Sequence, residues 1–129
     1  MFTKEERAGF KYWFAHWCAF NMTALNLGVW KFKYLFHDIE KPWLKLLWGD
    51  YKRVQKWHRL HNSHHMEYPG DWDAEGMVID WECSRFTKSA SPMTARETFT
   101  YFVDKKYVGT KYESKLLDSI PPALNKLGL

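Results

Sequence analysis

Several common chemistries have no footing in this chain of 129 residues. It has two cysteines, Cys18 and Cys83, too few for a disulfide framework. It has no Cys-x-x-Cys pair, no Gly-rich phosphate loop and no Gly-x-Ser-x-Gly elbow, so the usual redox, nucleotide-cradling and serine-hydrolase motifs are absent. The opening Met1-Phe2-Thr3-Lys4-Glu5-Glu6-Arg7 is rich in charge and unlike a secretory leader. A reducing cytoplasm is the expected setting. The most apolar stretch, Phe10 to Phe36, is interrupted by Lys11, His16, Asn21, Lys31 and Lys33. No uninterrupted apolar run of about 18 residues remains, so no membrane partner is expected. No arginine-rich tail or dense basic block occurs, and a net charge of +4 suits anionic ligands without indicating nucleic acid. Internal repeats, low-complexity tracts and linkers are also lacking, so residues 1–129 read as one domain.

Aromatic carbon is abundant. Phe, Tyr and Trp make up 19% of the chain, with eight Trp, so a core built on large rings is expected. Hydrophobic patterning follows a helical period throughout, and no stretch shows strand alternation bounded by hairpin turns. The fold class is therefore all-α, a compact bundle of five to six helices. Thr3 and Glu6 suggest a capping box for a first helix over about 4–20, with Phe10, Trp13, Phe14 and Trp17 at helical spacing. A second helix is expected over about 23–36, with Leu25, Val29, Trp30 and Phe36 as core contacts. Pro42 favours a third helix start, running from about Trp43 into a histidine cluster. Pro69-Gly70 marks a loop, after which Asp73 caps a fourth helix over about 74–88. Ser91-Pro92 opens a fifth with Phe99, Phe102 and Val103 inward, ending near Gly109. A short sixth covers about 111–118, and Pro121-Pro122 makes the tail from about 119 peripheral.

Four of the six histidines lie within Trp57-His58-Arg59-Leu60-His61-Asn62-Ser63-His64-His65. Imidazole binds first-row transition metals near neutral pH because its pKa is about 6.5. At about 100° per residue, His58, His61, Asn62 and His65 share a narrow arc of a helix. If the helix ends near Asn62, His64 and His65 turn inward separately. His37-Asp38 adds one nitrogen and one oxygen ligand at a helix end. Asp80, set among Val78, Ile79 and Trp81, is a charge in an apolar run and calls for a cation. Gly76 and Ser84 on its helical face leave room for one. Lys41, Arg85 and Lys88 are candidates to neutralise a phosphate.

Leu35-Phe36-His37-Asp38-Ile39-Glu40-Lys41-Pro42 resembles the His-Asp-Ile-Gly-Lys-Pro signature of the HD phosphohydrolase superfamily, with Glu40 where glycine is usual. That family pattern has an earlier His, then His-Asp, then a later Asp, which implies His16, His37, Asp38 and Asp80 as metal ligands on an HD-like helical domain. His64-His65-Met66-Glu67 resembles the His-His-Glu segment of the subfamily that cleaves cyclic dinucleotides. Met66 intervenes, and that subfamily's Gly-Tyr-Pro element is missing. The expected role is therefore a second metal or phosphate site. His58 to Tyr68 followed by Asp80-Trp81 is also similar to a family of short HD-like proteins of bacteriophages and bacteria. That likeness implies a phage origin and a host cytoplasm.

The resemblance implies a metal-dependent phosphohydrolase acting on a small phosphate ester such as a nucleotide. One or two divalent ions (Mn, Fe, Zn, Ni, Co or Mg) would be held by His16, His37, Asp38, His58, His64, His65 and Asp80. A bound ion lowers the pKa of a water from about 15.7 towards 7, which supplies hydroxide at neutral pH. Lys41, His61, Glu67 and Arg85 are the candidates for catalytic roles. Two rivals use the same residues. One is an HD-type di-iron oxygenase. The other is a non-enzymatic phage protein that binds a host partner and uses the metal only to hold its fold.

Overall fold

The computed structural model describes residues 6–87 and 92–129. Among them are six α-helices and no strand: α1 (Phe10–Asn26), α2 (Glu40–Trp48), α3 (Tyr51–His61), α4 (Ala74–Ser84), α5 (Ala95–Tyr101) and α6 (Glu113–Leu127). None is long and apolar enough to cross a membrane. Thr3, Lys88 and Ser91 lie outside the described residues.

Helix α1 buries a row at four-residue spacing, Tyr12, His16, Phe20 and Ala24, which is one face of an α-helix. That row packs on α4 and places one histidine inside the core. Phe10 and Phe14 consequently point outward and are more than half exposed. The helix also runs through the expected break at residues 20–23, because Phe20, Thr23 and Ala24 are all buried there. It ends where Gly28 adopts φ 72° and Val29 N–H donates to Ala24 O at 3.0 Å, a left-handed stop that glycine takes without strain. The expected second helix is thus replaced by a turn and a short 3-10 segment, Phe32–Phe36. Asn21 holds this segment against α1: its Nδ2 donates to Tyr34 O at 3.1 Å, and its Oδ1 accepts from Trp30 Nε1 at 2.9 Å. Leu25, Trp30 and Phe36 are exposed rather than core contacts, whereas Val29 packs on the core.

The expected third helix is two helices. Gly49, at φ 71°, turns the chain after Trp48, and Asp50 caps α3 by accepting from Lys52 N–H at 3.0 Å. The two form a pair packed against each other, with α2 also touching α1. Asp73 caps α4 as its sequence position suggested, accepting from Gly76 N–H at 3.0 Å. Met77, Val78, Ile79 and Cys83 are all buried, so α4 is the central helix, flanked by α1, α5 and α6. Helix α5 starts later than expected, from a capping box of Thr94 with Glu97. It holds Phe99 against the core, and the π-helical turn that follows, Phe102–Lys106, holds Phe102 and Val103 there.

The C-terminal region is not peripheral. Helix α6 continues through Pro121 and Pro122, and Leu116, Ile120, Leu124 and Leu127 are buried on one stripe. Each proline removes a backbone donor. Packing of that stripe on α4 outweighs the loss, and Pro122 itself is on the solvent side.

Candidate metal centre

The sequence candidates for metal binding come from five places in the fold. His16 comes from the buried row of α1, and His37 and Asp38 follow the 3-10 segment. His58 comes from the last turns of α3. Asn62 then leaves helical geometry at φ −123°, so His64 and His65 enter from a turn rather than from the helix face. Asp80 lies in the middle of α4. Asp38 has φ 55° and is the only described non-glycine residue in the left-handed region. A short side chain with a hydrogen-bonding oxygen tolerates that geometry better than most. Its carboxylate is 3% exposed. The ring of His37 stacks on Phe20 at 3.7 Å between centroids, which fixes its direction.

These side chains form two adjoining groups, each with donor atoms within 4.8 Å of one another: His16, His37 and Asp80, and Asp38, His58, His64 and His65. In the first, His16 Nε2 lies 2.9 Å from Asp80 Oδ1 and 3.2 Å from His37 Nε2, and His37 Nε2 lies 3.4 Å from Asp80 Oδ1. Asp38 belongs to both by distance. Its Oδ2 is 3.4 Å from His37 Nε2 and 3.6 Å from His16 Nε2, while its Oδ1 is 2.9 Å from His58 Nε2 and 3.1 Å from His64 Nε2.

These separations match a metal site. Ligand atoms about 2.1 Å from one ion stand about 3.0 Å apart in an octahedron and about 3.4 Å apart in a tetrahedron. Hydrogen bonding alone leaves the cluster incomplete. His58 Nε2, His65 Nε2 and Asp80 Oδ1 are buried without a hydrogen-bonding partner among the described residues, although His58 Nε2 and Asp80 Oδ1 each lie close to another donor atom of the cluster. Buried polar atoms of this kind are costly, and a divalent ion at each group would engage them: Asp80 in the first, His58 and His65 in the second. The residues present therefore fit such an ion.

The electrostatics point the same way. Burial pulls the His37 pKa down to about 4, against the opposing pull of Asp38 and Asp80. Burial and the neighbouring His64 also lower His65. Both rings are then neutral at pH 7, as metal ligands must be. Burial raises the carboxyls of Asp38 and Asp80, but the surrounding histidines, with Lys41 beside Asp38, outweigh it and hold both well below the usual range. Both stay anionic.

Two neighbours that were not expected as site residues orient the ligands. Glu40 opens α2 and hydrogen-bonds His58 Nδ1 through Oε1. The same oxygen accepts from Asn62 Nδ2 at 3.0 Å, and Asn62 also donates to His58 O at 2.9 Å. A carboxylate behind a ligating imidazole fixes its tautomer and raises its basicity. The left-handed residue here is Asp38 and not residue 40, so a side chain at 40 meets no backbone obstacle. The signal for Glu40 was that it stands where the signature resembled by residues 35–42 has glycine, and spacing alone could not have shown its partner.

The catalytic candidates divide. Lys41 Nζ is 3.2 Å from Asp38 Oδ2; burial lowers its pKa, but Asp38, Tyr51 and Asp80 together outweigh burial and raise it, so it stays protonated. Glu67 and Arg85 line a groove of about 370 Å³ together with His64, His65 and Asp80. His61 is a correction. It is exposed, its Nδ1 meets Trp57 O at 2.7 Å, and its ring lies 4.1 Å from that of Trp57, outside both ligand groups. Helical periodicity put it beside His58, but the inward arc of α3 is narrower than periodicity suggested. Compared with known proteins, the chain matches no family model, no curated protein and no solved structure.

Proposed function

We propose that this chain is a metal-dependent phosphohydrolase of the HD type, cleaving a small phosphate ester. The observation that carries the reading is Asp38, whose two oxygens face two separate sets of histidines. His16, His37, Asp80 and Asp38 Oδ2 would hold one divalent ion. Asp38 Oδ1, His58, His64 and His65 would hold a second. When bound, such ions acidify a water and polarise a phosphoryl oxygen. The chain's own groups supply the rest. Protonated Lys41 offsets charge on the phosphoryl oxygens beside Asp38. Glu40 and Asn62 hold the His58 ring in place. Arg85 and Glu67 line the polar groove, where Arg85 would bind the product phosphate and Glu67 would take up a proton.

The test is metal analysis of protein purified without a histidine tag, followed by phosphate release from a panel of nucleotides and simpler esters, for the native chain and Asp38→Ala. The expected result is one or two ions per native chain, metal-dependent phosphate release, and loss of both in the variant with helicity retained. Native protein that takes up no metal would refute the reading. A di-iron oxygenase is a second reading, supported by the same paired ligand sets. Iron as the native metal together with substrate-dependent oxygen uptake would favour it.

A further inference from the structure

Two grooves open on the ligand cluster, and they share no lining residue. The polar one of about 370 Å³ carries Arg59, Arg85 and Lys106 beside His64, His65 and Asp80. The other is larger, about 820 Å³, with His16, Asp38 and Lys41 among its lining residues. That is room for a drug-sized molecule and far more than a phosphate fills. Its walls are Tyr12, Trp13, Pro42, Trp43, Leu46 and Tyr51.

Most polar atoms of those walls are already engaged. Trp13 Nε1 donates to Asp38 O at 2.8 Å, and the Tyr12 hydroxyl is hydrogen-bonded with Thr87. The Tyr51 hydroxyl accepts from Gln55 Nε2 at 3.2 Å, and the neighbouring Lys45 Nζ donates to Ala8 O at 3.2 Å. A nucleobase placed here would lose water from its ring nitrogens and carbonyls and find few replacements, which is costly. Hydrocarbon has no such cost and gains from burial.

We propose that the ligand of this groove, resting on the phosphohydrolase reading, is a phosphate monoester of a hydrophobic alcohol, long-chain or aryl, rather than a nucleotide. The carbon portion lies along Trp13, Trp43 and Leu46, and the phosphate reaches Asp38 and Lys41. In the reaction the water oxygen bonds to phosphorus as the ester P–O bond breaks. One water proton ends on the alcohol and the other stays on the hydrogen phosphate. The product anion leaves by the arginine-lined groove, away from the apolar walls.

The test is isothermal titration of the metal-loaded full chain with decylphosphonate, methylphosphonate and a phosphonate analogue of adenosine monophosphate, none of which can be hydrolysed. Each buried methylene is worth roughly fourfold in affinity, so decylphosphonate should bind at least about tenfold tighter than the other two. The double variant Trp43→Ala/Leu46→Ala alters two exposed side chains. It should lose most of that gain, with metal content and methylphosphonate binding unchanged. Equal binding of all three, or tightest binding of the nucleoside analogue, overturns the assignment even if the protein hydrolyses nucleotides. Decylphosphonate binding with no phosphate released from any ester overturns the hydrolase reading and leaves the groove's ligand class standing. Co-sedimentation with vesicles containing phosphatidic acid, against phosphatidylcholine alone, tells whether the ester is drawn from a bilayer or from solution.

Discussion

Replacing Glu40 with Gln tests whether the ligand cluster is organised from behind. The change keeps shape and keeps an oxygen able to accept from His58 Nδ1 and Asn62 Nδ2, so it removes charge and little else. The Glu40 side chain is 25% exposed, which leaves its charge only partly screened. A hydrogen bond to a charged group contributes about 1.5–3 kcal/mol and a neutral one about 0.5–1.5 kcal/mol, a difference of about 1–2 kcal/mol. That predicts a loss of metal affinity of about 5-fold to 30-fold, overlapping the range of about 10–100-fold usual for carboxylates behind a ligating imidazole. Glu40→Leu, which strands the His58 Nδ1–H, should cost more than Glu40→Gln. The assay is competition for zinc against a chelating dye, with far-ultraviolet circular dichroism to confirm that the helices are intact. Affinity of Glu40→Gln within twofold of native would refute the reasoning. Leu weaker than Gln, and Gln weaker than native, is the order that supports it.

Asp38→Asn should lower metal content at both ligand groups, because each Asp38 oxygen faces one of them; loss of one ion with the other bound at full affinity would contradict this. His61→Gln should leave metal content unchanged, since His61 lies on Trp57, whereas His64→Gln should reduce it; equal effects of the two variants would count against the placement of α3. Leu124→Ala should destabilise the fold by about 2–5 kcal/mol in urea denaturation, as expected for a fully buried leucine; a loss under about 1 kcal/mol would make α6 peripheral after all. Metal-free protein should lose stability as pH falls from about 6.5 towards 4, because His37 and His65 stay neutral when folded but take up protons when unfolded. His58, lowered by burial but raised more by Asp38 and Glu40, acts above about pH 6.5 and is protonated in both states below it, so it does not offset this loss. A urea midpoint that rises on acidification would refute this.

The amino-acid sequence by itself determined the helical class, the Asp73 cap and the convergence of His16, His37, Asp38 and Asp80. Helix period and capping are local properties, written in neighbouring residues. The convergence was legible because the His37-Asp38 segment resembles a signature that implies an earlier His and a later Asp, and Asp80 is a charge set in an apolar run. Only the tertiary structure decided the rest. Pro121 and Pro122 read locally as a stop, yet the Leu116–Leu127 stripe finds α4 to pack on, and burial outweighs two missing donors. The division of the histidine cluster was hidden as well. A helix face shows which side chains are neighbours but not how much of that face is inward, and α3 turns only His58 in while His61 meets solvent. Glu40 likewise became a partner of His58 only when α2 and α3 packed together, because a contact between residues eighteen apart depends on how two helices meet and not on either one alone.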